Sequence, residues 1–261
     1  MRIFGIKPSS ITKVLISHFH GDHCLGLPGV IQRLCLDGVT HQIDVYFPAS
    51  GISFFQSLVN ATDFKGKINL IPHAVEDEGV IFEDQDYRIS AYWLNHPVDT
   101  LGYRVKEMDK VTLIPEKLDK AGISGRKIGE LLKTGTIKIE GEYFFLKDFG
   151  HPKPGQIFAF ITDTAECDNL QKISEDADLL LCEATYLSEH QSLAETYGHL
   201  TTLQAAGIAK EANVKRLVLT HFSQRYSQWD KFQMEAVTIF DKVNIANDGD
   251  VFDLPPLKRK Q

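Results

Sequence analysis

Short apolar runs, separated by polar segments, most constrain how this chain can fold. Each run is rich in valine, isoleucine and phenylalanine and ends in polar or charged residues, which is typical of strands. Helical spacing lies between them, most plainly over 200–212, where Thr201 or Thr202 can cap the first turn, whereas Ser174 is expected in a polar connection. Strands that alternate with helices predict an α/β fold. The predicted strands cover 11–17, 43–47, 88–94, 102–105, 157–162, 179–182 and 216–220.

The composition is ordinary for one globular domain. With 261 residues, 43% hydrophobic and 24% charged, we expect a single domain over 1–261 that carries an insertion. No run approaches ~20 apolar residues, so no transmembrane helix is expected. The N-terminal segment lacks the apolar core of a signal peptide, which favours a cytoplasmic protein with four reduced cysteines. The tail over 255–261 is polar and basic and is expected to fray.

Residues 107–155 interrupt this rhythm and are expected to form an insert. Two short helices and a hairpin are predicted over 118–121, 127–133, 137–139 and 143–146. Residues 151–155 are expected to form a turn or loop that ends the insert. The alternative to a folded insert is an irregular surface excursion. The net charge of −7 disfavours non-specific coating of nucleic acid, but residues 106–155 carry +2 while the rest carries −9. An anionic partner is therefore expected at the insert.

Four potential metal ligands directly follow the first predicted strand, in the segment His18-Phe19-His20-Gly21-Asp22-His23. Neutral imidazoles and carboxylates are suitable ligands for zinc. In a tight loop, alternate residues can turn toward one centre while Asp22 and His23 face a second. Gly21 lets the backbone bend there without a Cβ penalty. A single histidine is usually a core residue, whereas three histidines and an aspartate in six positions indicate a metal site.

Four ligands on one short loop cannot fill two metal spheres, so further ligands are expected at other strand ends. His96 follows the predicted strand 88–94, Asp163 follows 157–162, and His221 follows 216–220. Each is a weak signal alone, but together they repeat the pattern of an apolar strand followed by a ligand. An α/β enzyme can place its site in this way at one edge of its sheets. The carboxylate of Asp163 can bridge two cations.

The HxHxDH loop, a later histidine, an aspartate after a strand and a final histidine together resemble the metallo-β-lactamase fold. Further segments resemble the ribonuclease Z family of tRNA 3′-processing endonucleases. These segments are 26–29 (GLPG), 101–104 (LGYR), 162–164 (TDT), 183–185 (EAT), 198–201 (GHLT) and 220–226 (THFSQRY). The resemblance extends from about residue 7 to about residue 254. It implies a four-layer αββα fold and an endoribonuclease that removes 3′ trailers from precursor tRNA, leaving a 3′-hydroxyl.

The resemblance also implies two zinc ions per subunit, bridged by Asp163 and a hydroxide. The ligands of the first ion would be His18, His20 and His96. The ligands of the second ion would be Asp22, His23 and His221.

Three residues would take catalytic roles by the same resemblance. Asp22 would orient or deprotonate the attacking water. His199, supported by Glu183, would deliver a proton to the leaving 3′-oxygen. From the residues alone, Glu183 can equally be a cap, and His199 can be a solvated residue ahead of a helix.

The insert at 107–155 lies where the family carries a flexible arm that clamps tRNA, which implies an exosite there. A Gly-Pro pair often precedes the second helix of the family arm, whereas this chain has Gly125-Arg126. A homodimer is expected from the resemblance alone. Further N-terminal strands of the family have no counterpart before 11–17, so one sheet is expected to have an exposed edge. Candidate phosphate contacts are Lys117, Lys120, Arg126, Lys127, Lys133 and Lys138.

Other functions stay open at the level of sequence. A hydrolase of the same fold, acting on a small ester, lactam or phosphodiester, would not need a basic arm. A non-catalytic nucleic-acid-binding relative with a decayed site would be expected to have lost ligands, and all seven are present. An inactive, truncated relative stays open as an alternative. A di-iron redox centre is a further alternative, because histidine and carboxylate ligands also suit iron.

Overall fold

Two β-sheets face each other in the computed structural model, which describes residues 2–63 and 68–254. The predicted frayed tail, 255–261, lies outside the described residues. The strands are β1 (Lys13–Leu15), β2 (Gln42–Pro48), β3 (Asn69–Val75), β4 (Gly79–Glu83), β5 (Tyr87–Leu94), β6 (Thr100–Glu107), β7 (Lys110–Leu113), β8 (Thr136–Ile139), β9 (Glu142–Phe145), β10 (Gly150–Lys153), β11 (Ile157–Ile161), β12 (Leu179–Glu183), β13 (Leu217–Thr220) and β14 (Val243–Ile245). The helices are α1 (Gly21–Cys24), α2 (Leu27–Leu36), α3 (Ile52–Val59), α4 (Pro115–Lys120), α5 (Arg126–Thr134), α6 (Asn169–Ser174), α7 (Gln191–Tyr197), α8 (Thr202–Glu211) and α9 (Asp230–Ala236).

The smaller sheet consists of three parallel strands in the order β1-β2-β3. Successive side chains of β2 point to opposite faces, as strand geometry requires. Ile43, Val45 and Phe47 therefore pack with Leu34 of α2 in the outer layer, while Tyr46 faces the other sheet. In the part of the chain that the structure describes, β1 lies at the sheet edge, where an exposed edge was expected.

The larger sheet has seven strands in the order β14-β13-β12-β11-β6-β5-β4. Strands β11 to β14 are parallel, and β6, β5 and β4 continue antiparallel. Helices α6, α8 and α9 cover its outer face, with Phe232 of α9 fully buried there. Its inner face packs against the smaller sheet through Tyr103, whose hydroxyl donates to the Ile16 carbonyl at 2.7 Å. The layers are therefore helix, sheet, sheet and helix, which confirms the αββα prediction.

The insert folds around its own small core. Helices α4 and α5 pack on the hairpin β8–β9 through Leu118, Leu131 and Ile137. Glu140 and Gly141 both have positive φ, the conformation of a two-residue hairpin turn that suits the twist of its strands. The two helices and the hairpin match the prediction. Strands β7 and β10 pair antiparallel and form the ribbon that joins the insert to the larger sheet.

Two local predictions were wrong. Ser174 is not in a polar connection, because it ends helix α6 and is fully buried. Residues 150–153 form strand β10, although a turn or loop was predicted over 151–155. Pro152 is tolerated in that strand because β10 belongs to a two-stranded ribbon, where a missing N–H can face away from the partner strand. Thr201 caps α8 with a capping box to Gln204, as predicted. No helix among the described residues is long and apolar enough to cross a membrane.

We expect Leu180→Ala to lower the free energy of unfolding by about 2–5 kcal/mol. Leu180 is fully buried in β12, between α8 and its neighbouring strands, so the smaller side chain would leave a cavity. Urea unfolding followed by circular dichroism would measure the change. Leu36→Ala is the control, since Leu36 is 71% exposed and its truncation should change stability by less than about 0.5 kcal/mol. Equal effects of the two substitutions would contradict this description of the core.

Candidate metal centre

Four potential ligands converge from three strand ends. His18 and His20 follow β1, His96 follows β5, and Asp163 follows β11. The His20 Nδ1 atom lies 3.0 Å from Nε2 of His18 and 3.4 Å from Nε2 of His96. One Asp163 oxygen, Oδ2, lies 3.8 Å from the His18 nitrogen and 3.9 Å from the His96 nitrogen. These four atoms surround one point at the edge of the facing sheets.

A second group lies directly beside the first and shares Asp163 with it. The second Asp163 oxygen, Oδ1, is 3.2 Å from Nε2 of His221, which follows β13. The His23 Nε2 atom is 3.3 Å from Oδ2 of Asp163 and also 3.3 Å from Oδ2 of Asp22. Asp163 therefore faces both groups, one made of His18, His20 and His96 and the other of Asp22, His23 and His221.

The two groups have the chemistry and spacing of a two-metal centre. A tetrahedral zinc ion with ~2.1 Å bonds to nitrogen separates neighbouring ligand atoms by about 3.4 Å. The distances above cluster around that value. In addition, Nε2 of His23 is buried and has no hydrogen-bond partner within the described part of the chain. A nitrogen that two carboxylates flank at 3.3 Å without a hydrogen bond has the arrangement of a donor set, into which a cation fits.

The electrostatics favour the ligand forms of His18, His96 and Asp163. Burial by itself would lower the pKa of His23, but the Asp163 carboxylate outweighs burial and raises that pKa. Burial, and next the neighbouring His23 ring, lowers the pKa of His18 to about 3. Burial likewise lowers the pKa of His96. Both imidazoles are therefore neutral at physiological pH, as a metal ligand must be. Burial by itself would raise the pKa of Asp163, but the imidazoles of His23 and His221 hold it below its ordinary value.

Asp163 and His221 occupy an unusual backbone conformation. Their φ angles are +42° and +61°, in the left-handed region that residues other than glycine rarely adopt. Each residue comes one or two positions after a buried strand, so the left-handed turn redirects its side chain toward the cluster. Such residues cost about 1–3 kcal/mol each and concentrate at functional sites. Stability is given up here for ligand placement.

Hydrogen bonds on the far side of the rings determine which nitrogen faces the cluster. The His96 Nδ1 atom lies 2.9 Å from the carbonyl oxygen of Gly198. A carbonyl only accepts, so Nδ1 carries the proton and Nε2 is left bare toward the other ligands. His221 is oriented in the same manner by Thr185, whose Oγ1 atom lies 2.9 Å from its Nδ1.

A buried carboxylate, Glu183, decides the direction of the Thr185 contact. Glu183 is fully buried, and its Oε2 atom accepts the Thr185 hydroxyl proton at 2.6 Å. A threonine hydroxyl has one proton, and a carboxylate can only accept. Since that proton goes to Glu183, His221 must donate from Nδ1 to Thr185. Its Nε2 atom is then bare and available to a metal ion.

The other oxygen of Glu183 holds two further groups. Oε1 accepts from the backbone N–H of Thr164 at 2.6 Å and lies 3.0 Å from Nδ1 of His199. Burial by itself would lower the pKa of His199, but the hydrogen bond and charge of Glu183 outweigh it, so the pKa lies above its ordinary value. The His199 ring also lies beside the rings of His96 and His221, with centroids at 5.2 and 5.5 Å.

The structure thus brings together all seven candidate ligands and places His199 directly against them, with Glu183 hydrogen-bonded to His199. Sequence reasoning missed Thr185 and the Gly198 carbonyl as groups that orient the rings. The one available signal for Thr185 was its place in the EAT segment, two residues after Glu183. Backbone carbonyls carry no signal in a sequence.

Comparison with known proteins defines the class. The chain matches the model of the Metallo-beta-lactamase superfamily over residues 1–103 and that of the Beta-lactamase superfamily domain over 149–222. Human tRNase Z, short form, has the same fold, with a TM-score of 0.67 and 24% identity over 96% of this chain and 82% of that one. The metallo-beta-lactamase fold protein YhfI from Bacillus subtilis matches with a TM-score of 0.64 and 23% identity, over 96% of this chain and 81% of that one. The fold is that of the metallo-β-lactamase superfamily, which implies metal ions, and the clustered histidines and aspartates could bind them.

Relatives of closer sequence narrow this class. The chain is 42% identical over 258 residues to Ribonuclease Z from Nocardia farcinica, covering 98% of this chain and 85% of that protein. It is 43% identical over 244 residues to Ribonuclease Z from Protochlamydia amoebophila, covering 94% and 80%. The chain belongs to the ribonuclease Z family, whose members are endonucleases that hydrolyse phosphodiester bonds.

We expect Thr185→Val to weaken metal binding at the group containing His221 by about 10- to 100-fold. Valine keeps the shape but cannot accept the Nδ1 proton, so the ring loses its fixed tautomer. Thr185→Ser should restore the affinity because it keeps the hydroxyl. Competition with a chromophoric chelator would measure both metal affinities. Thr100→Val is the matched control, since Thr100 is fully buried and donates only to the Val98 carbonyl. Equal affinities for the valine and serine variants would exclude this role.

Proposed function

We propose that this protein is a zinc-dependent endoribonuclease that removes 3′ trailers from precursor tRNA and leaves a 3′-hydroxyl. The observation that carries the proposal is the shared Asp163 between two ligand groups, with a buried acid–histidine pair beside them, in a member of the ribonuclease Z family. The names of the relatives and of the human structure support the substrate class.

We assign His18, His20 and His96 to one zinc ion, Asp22, His23 and His221 to the other, and Asp163 to both. When bound, a pair of zinc ions supplies a hydroxide nucleophile at neutral pH and stabilises the charge of a phosphodiester under in-line attack. Of the seven assigned ligands, Asp22 has the most exposed side chain, at 71%. It is therefore suited to orient the incoming water and accept its proton.

We assign the leaving-group proton to His199. The Glu183 carboxylate accepts from Nδ1, so Nε2 is the nitrogen that can give a proton to the departing 3′-oxygen. The raised pKa of His199 keeps a larger share of the ring protonated near neutral pH than an isolated histidine would have. His199 also lies close enough to Asp163 and His221 to be considered as a ligand. Its hydrogen bond to the buried Glu183 carboxylate favours the role of proton donor.

The insert over 107–155 is proposed as an arm that binds the tRNA backbone away from the metal centre. Its six candidate phosphate contacts are all exposed. Lys117 is partly committed to the fold, since its Nζ atom donates to the Asp148 carbonyl at 2.9 Å. Lys127 and Lys133 lie on α5 and make no such contact among the described residues, so we expect them to contribute more to RNA binding.

A hydrolase of a small ester or phosphodiester is the second candidate function, because the centre itself would serve either substrate. A small substrate gives no role to the exposed lysines of the insert. Histidine and carboxylate ligands suit iron as well as zinc. Metal analysis of the purified protein would distinguish the two. The homodimer and the cytoplasmic location rest on the family likeness and stay predictions.

Asp22→Ala should abolish release of the 3′ trailer from a precursor tRNA, as should removal of metal by a chelator. The first effect follows from losing a ligand and water-orienting group, and the second from losing the hydroxide source. Gel analysis of end-labelled RNA would measure cleavage, and elemental analysis would identify the native metal. Asp248→Ala, at an exposed aspartate outside the cluster, should cleave as the unsubstituted protein does. Trailer release by chelator-treated protein without added metal would contradict the proposal.

Replacing Lys127 and Lys133 together with alanine should weaken precursor tRNA binding and reduce its salt dependence. Each lost phosphate contact is expected to lower the slope of log affinity against log salt by about one. Filter binding at several salt concentrations would measure the slope. A double alanine variant at the exposed Lys210 and Lys242 has the same change in net charge and serves as the control. Equal slopes of log affinity against log salt for the two double variants would contradict a role of the insert in RNA binding.

A further inference from the structure

An aromatic stack runs from the core of the smaller sheet to the surface beside the metal centre. Its inner member, Phe47 of β2, is fully buried. Phe19 packs edge-on against Phe47, with ring centroids 5.8 Å apart. Phe54 of α3 stacks on Phe19, also at 5.8 Å, with 29° between the ring planes. Phe54 is 58% exposed, so the outer face of the stack is open to solvent.

The stack is held in place by a close backbone approach. A Cβ atom added to Gly51 would lie 2.0 Å from the Phe19 ring, so only glycine lets that ring lie flat over the turn before α3. Phe19 is therefore supported by Phe47 on one side and the Gly51 backbone on another. The ring on which Phe54 stacks is thus packed from two sides.

The topology brings this stack to the same sheet edge as the ligands. Strands β1 and β2 are parallel and in register, with Leu15 opposite Tyr46. Their carboxyl ends consequently meet at one edge, where β1 leads to His18 and β2 leads to α3. Phe19 itself lies between two of the candidate ligands, His18 and His20. The open face of Phe54 thus lies one ring away from the loop that would hold the first metal ion.

We propose that Phe54 is a stacking platform for a nucleobase of the RNA, at a nucleotide close to the scissile phosphate. This inference rests on the proposed nuclease function and adds a substrate contact to it. A metal centre can hold only the phosphodiester, so the flanking nucleotides need contacts of their own. Single-stranded bases are commonly held by exposed aromatic rings, since every base has a π-face and the contact tolerates any sequence. Phenylalanine has no polar group, which suits stacking without selection of a particular base.

Replacing Phe54 with alanine should raise KM for precursor tRNA by about 5- to 150-fold, the range expected when one base–aromatic stack is lost. Phe54→Trp should keep or lower KM because it retains a flat ring. Phe54→Leu should behave like the alanine variant, since leucine has apolar volume but no ring face. A small chromogenic phosphodiester, which has no flanking nucleotides, should be cleaved equally by all four proteins. Phe4→Ala is the matched control, because Phe4 is similarly exposed, at 54%, and packs against Gly249 instead.

A direct readout comes from RNA carrying 2-aminopurine on either side of the cleavage site, mixed with the Asp22→Ala protein to prevent cleavage. Stacking should quench the fluorescence at one of these positions, and Phe54→Leu in the same background should restore it. The stacking platform is overturned if Phe54→Leu leaves the KM for precursor tRNA unchanged and, in the Asp22→Ala background, leaves the fluorescence quenching unchanged. Normal cleavage of precursor tRNA in that case would leave the proposed function intact. Failure of the unsubstituted protein to cleave precursor tRNA, with metal bound, would overturn both.

Discussion

The site depends first on the hydrogen bonds that converge on Glu183. This fully buried carboxylate holds the backbone that follows Asp163, the Nδ1 atom of His199 and, through Thr185, the tautomer of His221. A buried carboxylate is stable only when its lone pairs are satisfied, and these donors satisfy both oxygens. One group at the end of β12 therefore links two adjacent strand ends and the loop before α8. Loss of that carboxylate would disturb the positions of Asp163, His199 and His221 together.

The remaining geometry follows from the direction of the strands. Strand β1 of the smaller sheet and strands β5, β11 and β13 of the larger sheet end at the same edge, and the loops after these four strands provide the candidate ligands. The buried layers hold those loops rigidly, which allows Asp163 and His221 to keep left-handed backbones that a free loop would relax. The packing of the buried strands thus supports the strained backbone of the loops that follow them. The candidate ligands are ordered because the layers beneath them are not free to move.

Much of this could be predicted from the sequence, and the failures have physical reasons. Spacing identified the candidate ligands that the structure brings together, because a strand end followed by histidine or aspartate is a local pattern. Strand β3 was not predicted because Pro72 interrupts it, which an edge strand tolerates but a pattern search penalises. The role of Thr185 was missed because it depends on where one proton goes among residues 183, 185 and 221. Relations of that kind exist only once separate strands lie side by side.

The ribbon that carries the insert has a consequence for how this chain can change over generations. Lys110 and Lys153 pair across β7 and β10, so the polypeptide leaves and rejoins the larger sheet at adjacent points. The segment between them has its own apolar core, including Leu118 and Leu131. An insertion that is closed at its base and packed around its own apolar core can be lengthened, shortened or exchanged without altering strand register elsewhere. Natural variation can therefore change the insert, which we propose as the RNA-binding arm, while the candidate metal centre is inherited unchanged.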